Sequence, residues 1–237
     1  MNDTLGASSS GTPLVIVGAG GHGREVLDVV RAVNSATPTW DLLGFVADGG
    51  GDLEEIEALG VSFLGPISEL EVDRGYGKDK LGAPRFVVAI GAGAVRRSID
   101  ERLTKAGLVP ASVIHPSATV GAHCELAPGV VIVAGARVTT NVRLGRHVHL
   151  NLNSTVSHDS VLGDYVTISS GVNISGRVTL GAGVDCGAGS TVLPGVHIGS
   201  GTRVGAGAVV TKDCPPDCTM VGVPAHPLPQ SAQGGSC

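Results

Sequence analysis

The sequence predicts two parts: a small parallel α/β domain, Rossmann-like in its glycine loop, and then a parallel β-helix of hexapeptide repeats. Three observations carry this. Aliphatic strand-like runs alternate with helical periodicity from Leu14 to about Ser112. From Ile114 an aliphatic residue recurs at every sixth position without a break. The composition also fits: 37 of 237 residues are glycine and only six are aromatic, as a narrow core with many sharp turns requires. The expected division is a disordered leader at 1–13, the α/β domain at 14–113, the β-helix at 114–210 and a C-terminal tail at 211–237.

Other classes are excluded by bulk properties. With 42% hydrophobic residues and a net charge of −5, the chain can bury a core. Glycine and proline show no collagen period. The acidic balance and the lack of a Lys/Arg cluster argue against a nucleic-acid partner. No apolar run is long enough to insert into a membrane, and "MNDTLGASSSGTP" lacks the basic-then-apolar order of a secretion signal. Five irregularly spaced cysteines then read as free thiols in a cytoplasmic protein. Cys214 and Cys218 form C-x3-C with only His226 nearby, so no metal is expected there.

In chain order, "LVIVG" (Leu14–Gly18) is a buried parallel strand by its β-branched content. Val26, Leu27, Val30 and Val33 recur at helical spacing over Arg24–Val33. "LLGFVA" (Leu42–Ala47) is the second strand, "VSFLG" a third and "RFVVAIG" (Arg85–Gly91) another. Glu71–Pro84 is a polar loop, and Val95–Lys105 is a helix closed by Gly107.

The repeat runs from Ile114 to Val210 through seventeen consecutive positions, sixteen of them Ile, Val or Leu and one Cys186. Numbering that residue one, position five is always small or β-branched. Each hexad is one short strand and a turn, and three make a triangular coil. Coils stack at about 4.8 Å, around an interior too narrow for aromatic rings.

Of sixteen glycines in the repeat, seven fall at position two and eight at position four, both turn positions. Gly176 alone is at position three, one coil beyond His158 on the same edge. The spacing allows two readings. Gly176 relieves crowding beside a solvated turn histidine, or it leaves a recess with an exposed amide next to a functional one.

The segments "VIVGAGGHGREVLDVV", "FVAD", "VVAIGAGAVRR", "VIHPSATV", "NLNSTVSHDSVLGDYVTISSGVNISG" and "MVGVPA" together resemble the NeuD- and PglD-type sugar-nucleotide N- and O-acetyltransferases of the hexapeptide superfamily. The resemblance spans about Leu14 to Leu228 and implies a left-handed helix and a homotrimer. It further implies acetyl-CoA as co-substrate and acyl donor, and an acceptor amino group on a nucleotide-linked sugar of the UDP-4-amino-4,6-dideoxy type. Two alternatives stand beside it: a non-nucleotide amine or hydroxyl acceptor, and sialic-acid-type O-acetylation.

By the same resemblance His158 is the general base, Asp159 raises its basicity and the Gly176 amide holds the thioester oxygen. An imidazole suits proton removal near neutrality, and a carboxylate orients it. Asn151 matches a residue near the sugar, or is a turn former. Ala188 and Ala206 match backbone contacts to the coenzyme, on or near the Gly176 edge. Thr167 stands at a coenzyme-binding position where many members have histidine.

"GAGGHG" (Gly18–Gly23) also satisfies G-x-G-x-x-G, a dinucleotide fingerprint. The resemblance instead gives Gly20, Gly21, His22 and Asp48 to the uridine diphosphate of the sugar substrate, with diphosphate at the helix N-terminus. Ala92 occupies a position where members often have Asn or Asp, and Arg96 is a phosphate contact or a solvated helix residue. A competing scaffold reading would use His115, His123, His147, His149, His158 and His197 as metal ligands, although they are scattered round the prism.

Overall fold

The computed structural model describes residues 11–49, 53–71 and 84–229. The α/β half runs β1 (Thr12–Val17), α1 (Gly21–Ala36), β2 (Trp40–Val46), α2 (Leu53–Ala58), β3 (Phe63–Gly65), β4 (Arg85–Val88), α3 (Gly93–Lys105) and β5 (Val109–Pro110). Its five parallel strands lie in the order β3-β2-β1-β4-β5. Alternate residues of β1 serve two layers, as the pleat dictates. Leu14 and Ile16 pack toward α1, whereas Val15 and Val17 pack toward α3. Both sheet faces are therefore covered, and the strand reads as an unbroken aliphatic run.

β1 starts two residues before the expected boundary. The rest of the expected leader, residues 1–10, lies outside the described residues, as do 72–83 of the expected polar loop. α2 and β5 are additions that the sequence did not announce, being six and two residues long.

The second half is a left-handed parallel β-helix. Its rungs are two-residue strands, arranged on three faces. Face one holds Val113–Ile114, His149–Leu150, Thr167–Ile168 and Asp185–Cys186 among its rungs. Face two holds Arg137–Val138, Thr155–Val156 and Asn173–Ile174. Face three holds Arg143–Leu144, Val161–Leu162 and Thr179–Leu180. Rungs pair across one coil, Arg137 with Thr155 and Val138 with Val156. The position-one and position-five side chains fill the interior as one aliphatic cluster.

The two glycine columns have different causes. Position four is left-handed from His123 to Gly207: Gly183 has φ +70° with open space around it. Non-glycine residues there take the same conformation, His147 at φ 51° and Asp159 at φ 60°. Position two is instead a close approach between coils, so a Cβ on Gly181 would meet the backbone N of Ser200 at 2.5 Å.

The coil does not stop at Val210. Cys214 bridges to Ile198 and Met220 pairs with Val204, both buried, after a spacing shortened from eighteen residues to sixteen. The expected tail therefore starts with a further partial coil, hidden from a strict six-residue count by those two missing residues. Pro227 then folds back antiparallel on Met220.

Face one is covered by the α/β half. Val113, Val131 and Val133 join Val26, Leu27 and Val30 of α1 in one core. Beside it lies a polar latch. Arg96 of α3 is fully buried, so it is neither solvated nor open to a phosphate. It donates to the carbonyls of Ile90, Gly91, His147, Tyr165 and Val166 and to Thr167 Oγ1. Burial pushes its pKa down to about 10, which leaves it charged. One turn on, Asp100 receives Arg146 at 2.5 and 2.6 Å and the Tyr165 hydroxyl at 2.7 Å. Burial opposes its ionisation, but His147, Arg146 and Tyr165 outweigh burial and hold the carboxyl well below the usual range.

Candidate active site

The edge between faces two and three carries His158, Asp159 and Gly176. Asp159 is in the left-handed turn position, which folds its carboxylate back on the preceding residue. His158 Nδ1 and Asp159 Oδ2 are 2.8 Å apart, and the histidine side chain is 54% exposed, so Nε2 is open to an incoming group. Asn141, one coil below, donates to the other carboxylate oxygen at 2.7 Å. Those two bonds, Asn141 first and His158 second, hold the Asp159 carboxyl below its ordinary range. Asn141 was absent from the sequence reading. Its signal was available, as a non-glycine at position four eighteen residues before Asp159.

Gly176 lies against the imidazole ring. A Cβ there would sit 2.5 Å from His158 Nε2 and 2.6 Å from Cε1. Among the described residues no acceptor meets the Gly176 N–H. The two readings of this glycine are thus compatible: it makes room for the ring and leaves an amide beside it.

The α/β half holds a cleft of about 750 Å³ at the carboxyl ends of β1, β2 and β4. Such a position, where strand order reverses, is where open α/β sheets take ligands. Gly18, Gly20 and His22 form one wall, Asp48 and Gly49 a second, and Ser98, Ile99 and Arg102 of α3 a third. Gly23 is required for the loop, because a Cβ there would strike the Gly18 carbonyl oxygen. Gly21 opens α1 beside the cleft without lining it. Asp48 Oδ1 accepts from the Ile67 N–H at 2.9 Å, and Oδ2 is 3.6 Å from Arg102. His22 Nδ1 is 2.9 Å from Glu25 Oε2, and its Nε2 is 3.2 Å from His149 Nδ1.

Several expected site residues lie elsewhere. Ala188 and Ala206 are on the edge between faces one and two, not on the Gly176 edge. Twelve residues from Gly176 to Ala188 is two-thirds of a coil, which turns the chain to another corner. Asn151 shares that corner, where its side chain donates to the Ile168 carbonyl at 3.0 Å. Thr167 points outward from face one into the covered junction; it is buried and donates to the Gly91 carbonyl at 2.9 Å. Ala92 precedes α3 and lines a separate cavity of about 610 Å³ with Arg97, Tyr165 and Arg203. Among the described residues no group of three or more His, Cys, Asp or Glu side chains could hold a metal ion.

The α/β half matches the PglD N-terminal domain family over residues 13–103. No curated protein sequence matches the chain. Among solved structures, perosamine N-acetyltransferase from Caulobacter crescentus, crystallised with CoA and GDP-perosamine, is 30% identical. The match covers 94% of this chain and all of that one, with a TM-score of 0.82. The chain belongs to the NeuD/PglD-type sugar acetyltransferases. The acetyltransferase domain of PglB from Neisseria gonorrhoeae matches this family member at 30% identity over 91% of this chain and 99% of that one, TM-score 0.79. WeeI from Acinetobacter baumannii matches at 28% identity over 92% and 100%, TM-score 0.78. Among the described residues, no helix of this acetyltransferase is long and apolar enough to cross a membrane.

Proposed function

We propose that the protein transfers the acetyl group of acetyl-CoA to the amino group of a nucleotide-linked amino sugar. The observation that carries this reading is the exposed His158–Asp159 pair over Gly176, in a chain that aligns over 94% of its length with a nucleotide-sugar N-acetyltransferase. The nucleotide lies in the α/β cleft, its diphosphate against Gly20, Gly21 and the N-terminus of α1. His158 Nε2 takes a proton from the acceptor amine as nitrogen attacks the thioester carbon. The Gly176 N–H donates to the developing oxyanion. The C–S bond then breaks, and the proton passes from His158 to the departing CoA sulfur. No acyl-enzyme is formed, because the amine is itself the nucleophile.

A homotrimer completes this proposal. The α/β half covers face one, and the His158 edge is the corner opposite that face. One chain's cleft and its own histidine are therefore on opposite sides of the prism. A neighbouring copy that brings its His158 edge to the cleft resolves the separation, and Asn151 near the sugar and the coenzyme contacts at Ala188 and Ala206, all on the corner between faces one and two, fit the same shared groove. The setting proposed is cytoplasmic.

The test is mass spectrometry of acetyl-CoA incubated with UDP- and GDP-linked amino sugars and with free amines. A gain of one acetyl group on a nucleotide-linked amino sugar is expected. Acetylation of free amines alone would replace the acceptor in this reading. Mixing His158→Ala chains with chains altered in the glycine loop should restore turnover if the site is shared between copies.

A further inference from the structure

We propose that Asn141 is a positioning residue for acetyl transfer: reaching up from the coil below, it holds one oxygen of Asp159 so that the other stays on His158 Nδ1. The inference rests on the reading of His158 as general base.

The argument begins with the turn. Position four on this edge is filled by His123, Asn141, Asp159 and Arg177, all at φ between 56° and 60°. Residues eighteen apart stack along the prism axis, so their side chains form one column on the surface. Asn and Asp are the non-glycine residues that adopt this conformation most readily. Each places a short polar group within reach of the next coil.

Asp159 has two oxygens with different partners. Oδ1 accepts from Asn141 Nδ2 at 2.7 Å, and Oδ2 is 2.8 Å from His158 Nδ1. Arg177, one coil above, has its Nε 3.9 Å from that same Oδ2. The carboxylate is 41% exposed, so packing does not fix its rotation. The Asn141 amide is the contact that does. Without it the carboxylate turns about its own axis, and Arg177 competes with the imidazole for Oδ2. The backbone repeats the tie, since the Asp159 N–H donates to the Thr140 carbonyl at 3.2 Å. Asn141 thus acts on the histidine only through Asp159 and touches no reacting atom.

Asn141→Gly isolates this role, because glycine keeps the left-handed turn and removes only the amide. Turnover should fall roughly tenfold, with KM for acetyl-CoA and for the acceptor within about twofold of the parent. Asn141→Asp keeps the shape but cannot donate, and should lose at least as much. In an Asp159→Ala background, Asn141→Gly should cost nothing further, as expected of residues acting in series. Thermal melting of each variant separates these effects from unfolding. Parental turnover in Asn141→Gly, or losses that multiply in the double variant, would overturn the inference while leaving His158 as base. Parental turnover in His158→Ala would remove the base reading itself, and this inference with it.

Discussion

Two sides of the prism use histidine in opposite ways. On the covered side His147 and His149 have no solvent exposure. His147 stacks between Phe86 and Tyr165, with ring centroids 6.0 and 5.8 Å away, and its Nε2 is 3.0 Å from Asp100. Burial, with Arg96 and His22 nearby, keeps the His149 pKa well below its ordinary value, so that ring is neutral. On the open edge His158 stands in solvent on a carboxylate. The hexad scaffold is the same in both places. What differs is whether the α/β half lies over the residue, and so whether its imidazole is open to solvent.

The covered side should fail by unfolding. Arg96→Ala takes their donor from the Ile90, His147 and Tyr165 carbonyls and one of two donors from the Gly91 and Val166 carbonyls. A loss of about 3 kcal/mol or more is expected, because each orphaned buried group carries a desolvation penalty. That corresponds to a melting point lower by roughly 6–12 °C, read by calorimetry. An unchanged melting point would show that the latch holds nothing.

The open edge should fail by losing turnover. Gly176→Ala needs no unusual backbone angle, but its methyl would occupy the space of the His158 ring. Turnover should drop roughly tenfold or more while the melting point stays within a degree or two. The same substitution at Gly183, with φ +70° and nothing nearby, should cost about 1 kcal/mol of stability and no turnover.

The smallest effect is a pH dependence. His149 binds a proton more readily in the unfolded chain than in the folded one. Its contribution to stability is therefore complete above the unfolded pKa of about 6.5 and is lost as pH falls below it. The slope approaches about 1.4 kcal/mol per pH unit for one such proton. His149→Phe should flatten the decline in melting point between pH 7 and 5, as measured by a series of thermal scans. A parallel decline in both proteins would remove His149 as the cause.

Much of this was legible in the sequence because the hexad is strictly periodic. The coil, the stacking of His158 on Gly176 and the glycine loop follow from counting. The latch was not legible, because Arg96, Asp100, Arg146 and Tyr165 meet only after α3 is laid on face one, across separations of 46 to 69 residues. Ala188 and Ala206 were placed on or near the Gly176 edge although the same counting puts them on another corner. The coil beyond Val210 escaped because its spacing shortens to sixteen. Thr167 shows the wider limit: a position in the repeat fixes which way a side chain points, but not what covers it.

The most direct test is His158→Ala, with turnover and melting measured on the same preparation. Turnover lower by about a hundredfold or more, with the melting point and the assembly unchanged, is the predicted result. Parental turnover, or a loss that simply tracks unfolding, would contradict an exposed catalytic edge set apart from a buried structural one.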